Sequence, residues 1–219
     1  MPHWIEPLEP RQLLSASPHG AHSRAAHRLD VKTTQVAIEA RLVQADLKTV
    51  KQLGVQWLST AKKEVQQIGA ALKPVSASNK PLLDQAVSTA SSYRELVADL
   101  NREIGQDKQA VNAVLKSYTL FLNHPGDSFA QGKFSSAVDT LSSTRGALNG
   151  LLGQVPGAQQ QIELMLTPIV NANGSIQTRV DAAIANMDAK QEAVANGKDQ
   201  LSNDTDQLLS AAETALQSP

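Results

Sequence analysis

The sequence predicts an all-α fold: four long antiparallel helices in an up-down-up-down bundle. Three observations predict it. Apolar residues recur at alternating steps of three and four over long stretches, which places them on one face of a helix. Aromatic residues are 3% of the chain while Ala, Leu, Gln and Lys are plentiful, a balance that favours helix over the aromatic and β-branched cores of sheets. Turn-forming stretches divide residues 30–217 into four segments of nearly equal length, about 30–73, 80–123, 128–172 and 174–217.

In the first segment Val36, Ala40, Val43, Leu47, Val50, Gly54, Trp57, Ala61, Val65, Ile68 and Leu72 form one stripe. Asp30 is placed to cap its start. Lys73-Pro74 ends it, because a residue before proline is pushed out of helical geometry. Pro81 suits the first turn of the second helix, where its missing N–H is harmless. Leu83, Ala90, Val97, Ile104, Val111 and Tyr118 then recur every seven residues, beside a column of Ala86, Tyr93, Leu100, Asp107, Val114 and Phe121. Asp107 is the one carboxylate in that pair of columns. It has two readings: a cross-bundle pair with Lys198, or a carboxylate reaching water through a loose seam.

Pro125-Gly126 turn the chain, and Asp127 or Ser128 caps the third helix. Its stripe is Phe134, Val138, Leu141, Leu148, Leu152 and Val155, interrupted by Arg145 and continued by Ile162, Met165 and Ile169. Pro156 and Pro168 predict a kink or break near those positions. After the turn at 171–174 the fourth helix carries Val180, Met187, Val194, Leu201, Leu208 and Ala215. Its second column (Ile184, Gln191, Lys198, Thr205, Ala212) is polar in the middle. Matched helices joined by short loops pack antiparallel with their neighbours. Heptads this regular also fit pairing between chains, as an extended hairpin dimer.

Gly54, Gly105, Gly153 and Gly197 each fall near the middle of a segment. In an antiparallel bundle the midpoints share one height, and Trp57, Asp107 and Lys198 lie close to it. Each helical glycine costs about 1 kcal/mol against alanine. Their grouping reads either as a waist that bends or encloses a small polar pocket, or as coincidence among 12 glycines.

The totals exclude several chemistries. With no Cys there is no disulfide, thiolate metal site or Cys nucleophile. A net charge of −1 gives no sign of a nucleic-acid binder. No apolar run approaches the roughly 20 residues of a transmembrane helix. His19, His22 and His27 cluster without the spacing of a regular metal site. His124, Asp127 and Ser128 are the residue types of a nucleophilic triad, yet a tight turn does not supply its geometry. No Glu-x-x-His pair of a di-metal bundle and no CxxCH haem motif occurs. No cofactor and no catalytic residue are therefore expected.

Residues 1–28 read as a leader ahead of a bundle domain at 29–219. Within it Leu8, Glu9, Pro10, Arg11, Leu13 and Leu14, followed by Ser15-Ala16, resemble the short LEPR-XLL motif. That motif opens many large secreted or surface proteins of planctomycete bacteria. The resemblance covers about a dozen residues. The basic run that usually precedes the motif is absent, since the first Lys or Arg is Arg11. The resemblance implies export or surface sorting of a bacterial protein and says nothing of an activity. The expected function is thus a non-enzymatic, exported or surface-associated bundle that acts as a spacer or binds a protein partner or itself. The alternatives are a small-ligand or lipid carrier with a mid-bundle pocket, and a membrane-active helical protein.

Overall fold

The computed structural model describes residues 20–72, 79–172 and 174–217. It comprises α1 (Gly20–Ala71), α2 (Lys80–Asn123), α3 (Ser128–Leu152), α4 (Val155–Ala172) and α5 (Gln177–Leu216), with a 3-10 turn at Gly174–Ile176 leading into α5. α3 and α4 form one broken rod, so the chain is an all-α bundle of four rods. Strands are absent among the described residues.

The apolar stripes are the interior. Every member of the α1 stripe from Val36 to Leu72 is buried, as are the six heptad residues of α2 and the six of α5. The third rod buries Phe134, Val138, Leu141, Leu148, Leu152 and Val155, then continues through Ile162, Leu166 and Ile169. Met165 is only half-buried, because the break shifts the face that α4 turns inward. At one end Tyr118, Phe121 and Phe134 make an aromatic cluster, with ring centroids 5.0 Å apart for Tyr118–Phe134 and 5.6 Å for Phe121–Phe134. α1 packs along α5 and α2 and α2 packs along the third rod, the neighbour relations of an up-down-up-down bundle.

A few polar contacts set the register. Gln44 Nε2 donates to Asn112 Oδ1 at 2.9 Å between α1 and α2. Asn186 Nδ2 donates to Glu64 Oε1 at 3.3 Å between α5 and α1. Trp57 Nε1 donates to Gln159 Oε1 at 3.0 Å and fixes α1 against α4.

Three expectations are corrected. α1 begins at Gly20, not near residue 30, so Asp30 lies inside the helix and does not cap it. The segment between Pro18 and Pro74 holds no proline, and Ala, Arg and Leu there favour helix. The rods are consequently not matched: α1 has 52 residues against 44 in α2 and 40 in α5. By the Gln44–Asn112 register, the end of α2 lies level with about residue 33, and α1 runs on beyond it.

The break in the third rod also falls elsewhere than near 156 and 168. It lies at Gly153-Gln154, between α3 and α4. Pro156 explains the position from a distance. Its ring would clash with the carbonyl of Leu152 and it has no N–H to donate there, so α3 stops at Leu152. The chain tightens, with Gln154 N–H donating to Leu151 O at 3.0 Å, and α4 starts with Ala158 N–H donating to Gln154 O at 3.0 Å. Pro156 then occupies the first turn of α4, where it is tolerated. Pro168 sits inside α4 without ending it.

Phe134→Ala should destabilise the chain by about 3–5 kcal/mol, because the side chain is fully buried in the aromatic cluster. Leu164→Ala, at a position 65% exposed, should change stability by less than about 0.5 kcal/mol. Urea denaturation followed by helical circular dichroism measures both.

Candidate functional site

Two polar layers interrupt the apolar interior. The first gathers residues from all four rods near one height. Asp204 and Thr205 of α5 are buried there, and Asp107 of α2 is 1% exposed. Asp46 of α1 faces Asp204. Burial, then the hydrogen bond with Asp204 and its charge, push the Asp46 carboxyl up from 3.8 to about 6. Gln200 Nε2 donates to Asp204 Oδ1 at 3.0 Å. Burial likewise raises Asp107, partly opposed by the Thr144 hydroxyl within hydrogen-bonding reach and by the nearby Arg145 guanidinium.

Arg145 does not merely interrupt the third stripe. It reaches α5, where its two terminal nitrogens hold both oxygens of Asp206 and Nη2 also donates to the Ser202 carbonyl at 3.1 Å. That grip holds the Asp206 carboxyl below its usual range. Asp107 therefore takes neither course expected of it: it is closed off from water, and its neighbours are Thr144, Arg145 and Glu103 in place of Lys198.

The second layer lies where the core divides into two apolar clusters, between Trp57 and Ala61. Trp57 is fully buried and tilts against Tyr93 with centroids 6.0 Å apart. Gln159, which accepts the Trp57 indole N–H, passes its own Nε2–H to Asp188 Oδ1 at 2.8 Å. The Tyr93 hydroxyl donates to Gln161. Glu163 stands beside this chain, its carboxyl raised by burial and by the Asp188 charge.

The four mid-segment glycines fall within roughly two helical turns of one height by the interhelical register. They do not share one site. A Cβ on Gly197 would stand 3.0 Å from Leu53 Cδ1 and 3.4 Å from Val50 Cγ2, so this glycine lets α5 approach α1 closely. A Cβ on Gly54 would meet Leu100 Cδ1 at 3.9 Å. Gly153 belongs to the break, and Gly105 is exposed with open space beside it. Lys198 is half-buried on α5.

Gly105 opens onto a groove of about 570 Å³ between α1 and α2. Arg41, Gln44, Leu47, Lys48 and Lys51 line it from α1, and Asn101, Ile104, Gly105 and Lys108 from α2. A second groove of about 490 Å³ runs between α1 and α5 and carries Glu39 and Asp206. Sequence reasoning missed Asp46, Asp204 and Gln159. A signal was present for Asp204, which lies three residues after Leu201 and four before Leu208, an inward position.

In the turn before α3, Gly126 takes φ +85°, the left-handed conformation that favours glycine, and Asp127 caps α3 by accepting Phe129 N–H at 2.9 Å. His124 ends α2 through its backbone N–H to Leu120 O. The LEPR-XLL-like residues Leu8, Glu9, Pro10, Arg11, Leu13 and Leu14 and the imidazole of His19 lie outside the described residues. His22 and His27 fall on α1, a helix expected to start after them. Among the described residues no three His, Asp or Glu side chains gather as metal ligands, and no helix is long and apolar enough to cross a membrane. Comparison of the chain with protein-family models and with curated proteins finds no match.

Two outcomes test this geometry. Folded Asp46 titrates near 6 against 3.8 ordinarily, so between those values the native state holds more protons and loses stability as pH rises through about 6. Asp46→Asn keeps a donor to Asp204 and should flatten that part of the profile, raising stability above pH 6 relative to the parent; urea midpoints from pH 4 to 8 show it. Gly105→Ala should stabilise by about 1 kcal/mol, since its Cβ meets nothing and only helix propensity changes. Gly197→Ala should give less or turn negative, because Leu53 must move. Equal gains at both positions would remove the close α1–α5 approach as a reason for Gly197.

Proposed function

We propose that the chain is a non-enzymatic helical module of the bacterial cell surface or exterior that spaces or joins protein partners. One observation carries this reading. The apolar columns of all four rods are spent on mutual packing, and Trp57, Gln159 and Asp188 bond to one another across three of them. What the fold offers to its surroundings is the surface of a long rod. An α-helix rises about 1.5 Å per residue, so the four-rod part is about 60–65 Å long. Such a rod holds two attachments apart at fixed distance. The surface assignment rests on the resemblance of Leu8 to Ala16 to the sorting-like motif.

Fractionation of source cells tests it, with light scattering on the purified full chain. The expected result is recovery from the surface or exterior fraction, with retention inside the cell when Leu13 and Leu14 are both changed to Ser. Recovery of the parent chain solely from the cytoplasm would overturn the surface assignment. Scattering that shows a compact particle instead of an elongated monomer or dimer would overturn the spacer.

A further inference from the structure

The α1–α2 groove carries charge of one sign. Its lining contains Arg41, Lys48, Lys51 and Lys108 and no carboxylate. All four are exposed, in a chain whose net charge is −1. None of them takes part in the ion pairs among the described residues, which involve Arg102 and Arg145. Of the acids of α2 near this height, Glu103 is held by Arg102 at 3.6 Å, Asp99 one turn away is held by the same arginine at 3.0 Å, and Asp107 is buried beside Thr144 and Arg145. They therefore do little to neutralise the groove.

The register sharpens the arrangement. With Gln44 opposite Asn112, Lys48 stands opposite Lys108 and Lys51 opposite Gly105. Arg41 lies two turns from Lys48, roughly 10 Å along the axis. Like charges facing each other across a seam repel and cost stability when nothing lies between them. Gly105 adds a second cost, being a helix-interior glycine with no neighbour within 4 Å to demand it. Both features make sense if the space is used: an anion between Lys48 and Lys108 reverses the sign of their interaction, and the missing side chain keeps the groove open. Leu47 and Ile104 supply an apolar floor, and Gln44 and Asn101 supply amides. The volume is that of a small-molecule site.

We propose that the α1–α2 groove binds a phosphate-bearing small molecule of nucleotide size, with Lys48 and Lys108 clamping the polyanion, Arg41 and Lys51 extending the basic track, and Gly105 leaving room for the ligand. Ammonium groups and a guanidinium fork suit phosphate oxygens. The apolar floor suits a ligand with a flat or aliphatic part beside its phosphates. The assignment goes beyond the spacer reading and does not rest on it.

Isothermal titration calorimetry of the full chain at low salt, with inorganic tripolyphosphate and with ATP as probes, tests it. Saturable one-to-one binding is expected for at least one probe, weakening with added salt. The double variant Lys48→Gln/Lys108→Gln should bind about tenfold or more weakly. Gly105→Leu, which fills the groove without touching a charge, should do the same. Lys63→Gln, at an exposed position of α1 outside the groove, is the control for diffuse charge. Circular dichroism of each variant establishes that the bundle is intact. No saturable binding of either probe overturns the proposal. So does an equal loss with Lys63→Gln, or undiminished binding by Gly105→Leu. Tighter binding of a glutamate hexapeptide than of either phosphate probe overturns it in favour of an acidic protein segment. Adsorption to anionic phospholipid vesicles that Gly105→Leu leaves unchanged overturns it in favour of a charged surface.

Discussion

The register of α1 is the constraint on which the other rods depend. Its stripe from Val36 to Leu72 is buried throughout, and it is the rod that meets α2 along one side and α5 along another. A rod in that position must present apolar surface in two directions at every turn. The alternation of three- and four-residue steps does this, because it widens a single line of side chains into a band. Slipping α1 by one residue would rotate that band by about 100° and bring Lys, Gln and Glu inward.

A heptad pattern by itself leaves a different ambiguity. Columns repeating every seven residues fit nearly as well after a slide of one heptad. The polar layers remove that freedom. Trp57 finds an acceptor at Gln159, and Gln159 finds one at Asp188; a slide leaves a buried indole N–H without a partner. Arg145 and Asp206 do the same between the third rod and α5. The first layer carries a cost of its own, since Asp46 and Asp204 are like groups brought face to face and remain together most easily when they share a proton. The bundle thus holds one register partly through contacts that a uniformly apolar core would not need.

Much of this was legible in the sequence. The stripes of α1, α2 and α5 could be written down residue by residue, because periodicity reports which face is inward regardless of what it packs against. The ends of helices were less legible. Asp30 has the chemistry of a cap, but a cap matters only where the chain must stop, and nothing between Pro18 and Pro74 forces it to. Pro156 was rightly suspected and wrongly placed: a proline acts on the carbonyl four residues earlier, so the break belongs to Gly153-Gln154. The candidate site was least legible. Asp107 could be seen to face inward, but its neighbours Thr144 and Arg145 come from another rod, and no spacing within one helix reports the partner across the core. The α1–α2 groove was invisible for the same reason. Arg41, Lys48 and Lys51 belong to α1, and only the packing of α2 sets Lys108 against them and leaves the seam open at Gly105.

The two grooves flanking α1 differ in their charge. On the α2 side the lining carries four cations and no acid; on the α5 side it carries Glu39, which is buried, and Asp206, which Arg145 holds. Chain totals near neutrality conceal this division, because charges on opposite flanks of one helix cancel in the sum but not in space. A Debye length is about 8–10 Å at physiological ionic strength, comparable to the diameter of one helix, so the field of one flank is largely screened from the other. A filled interior and a polarised surface are therefore complementary consequences of one design. Once the apolar residues are committed to packing, one face of the rod differs from another through charge and through the few places, such as Gly105, where a side chain is withheld.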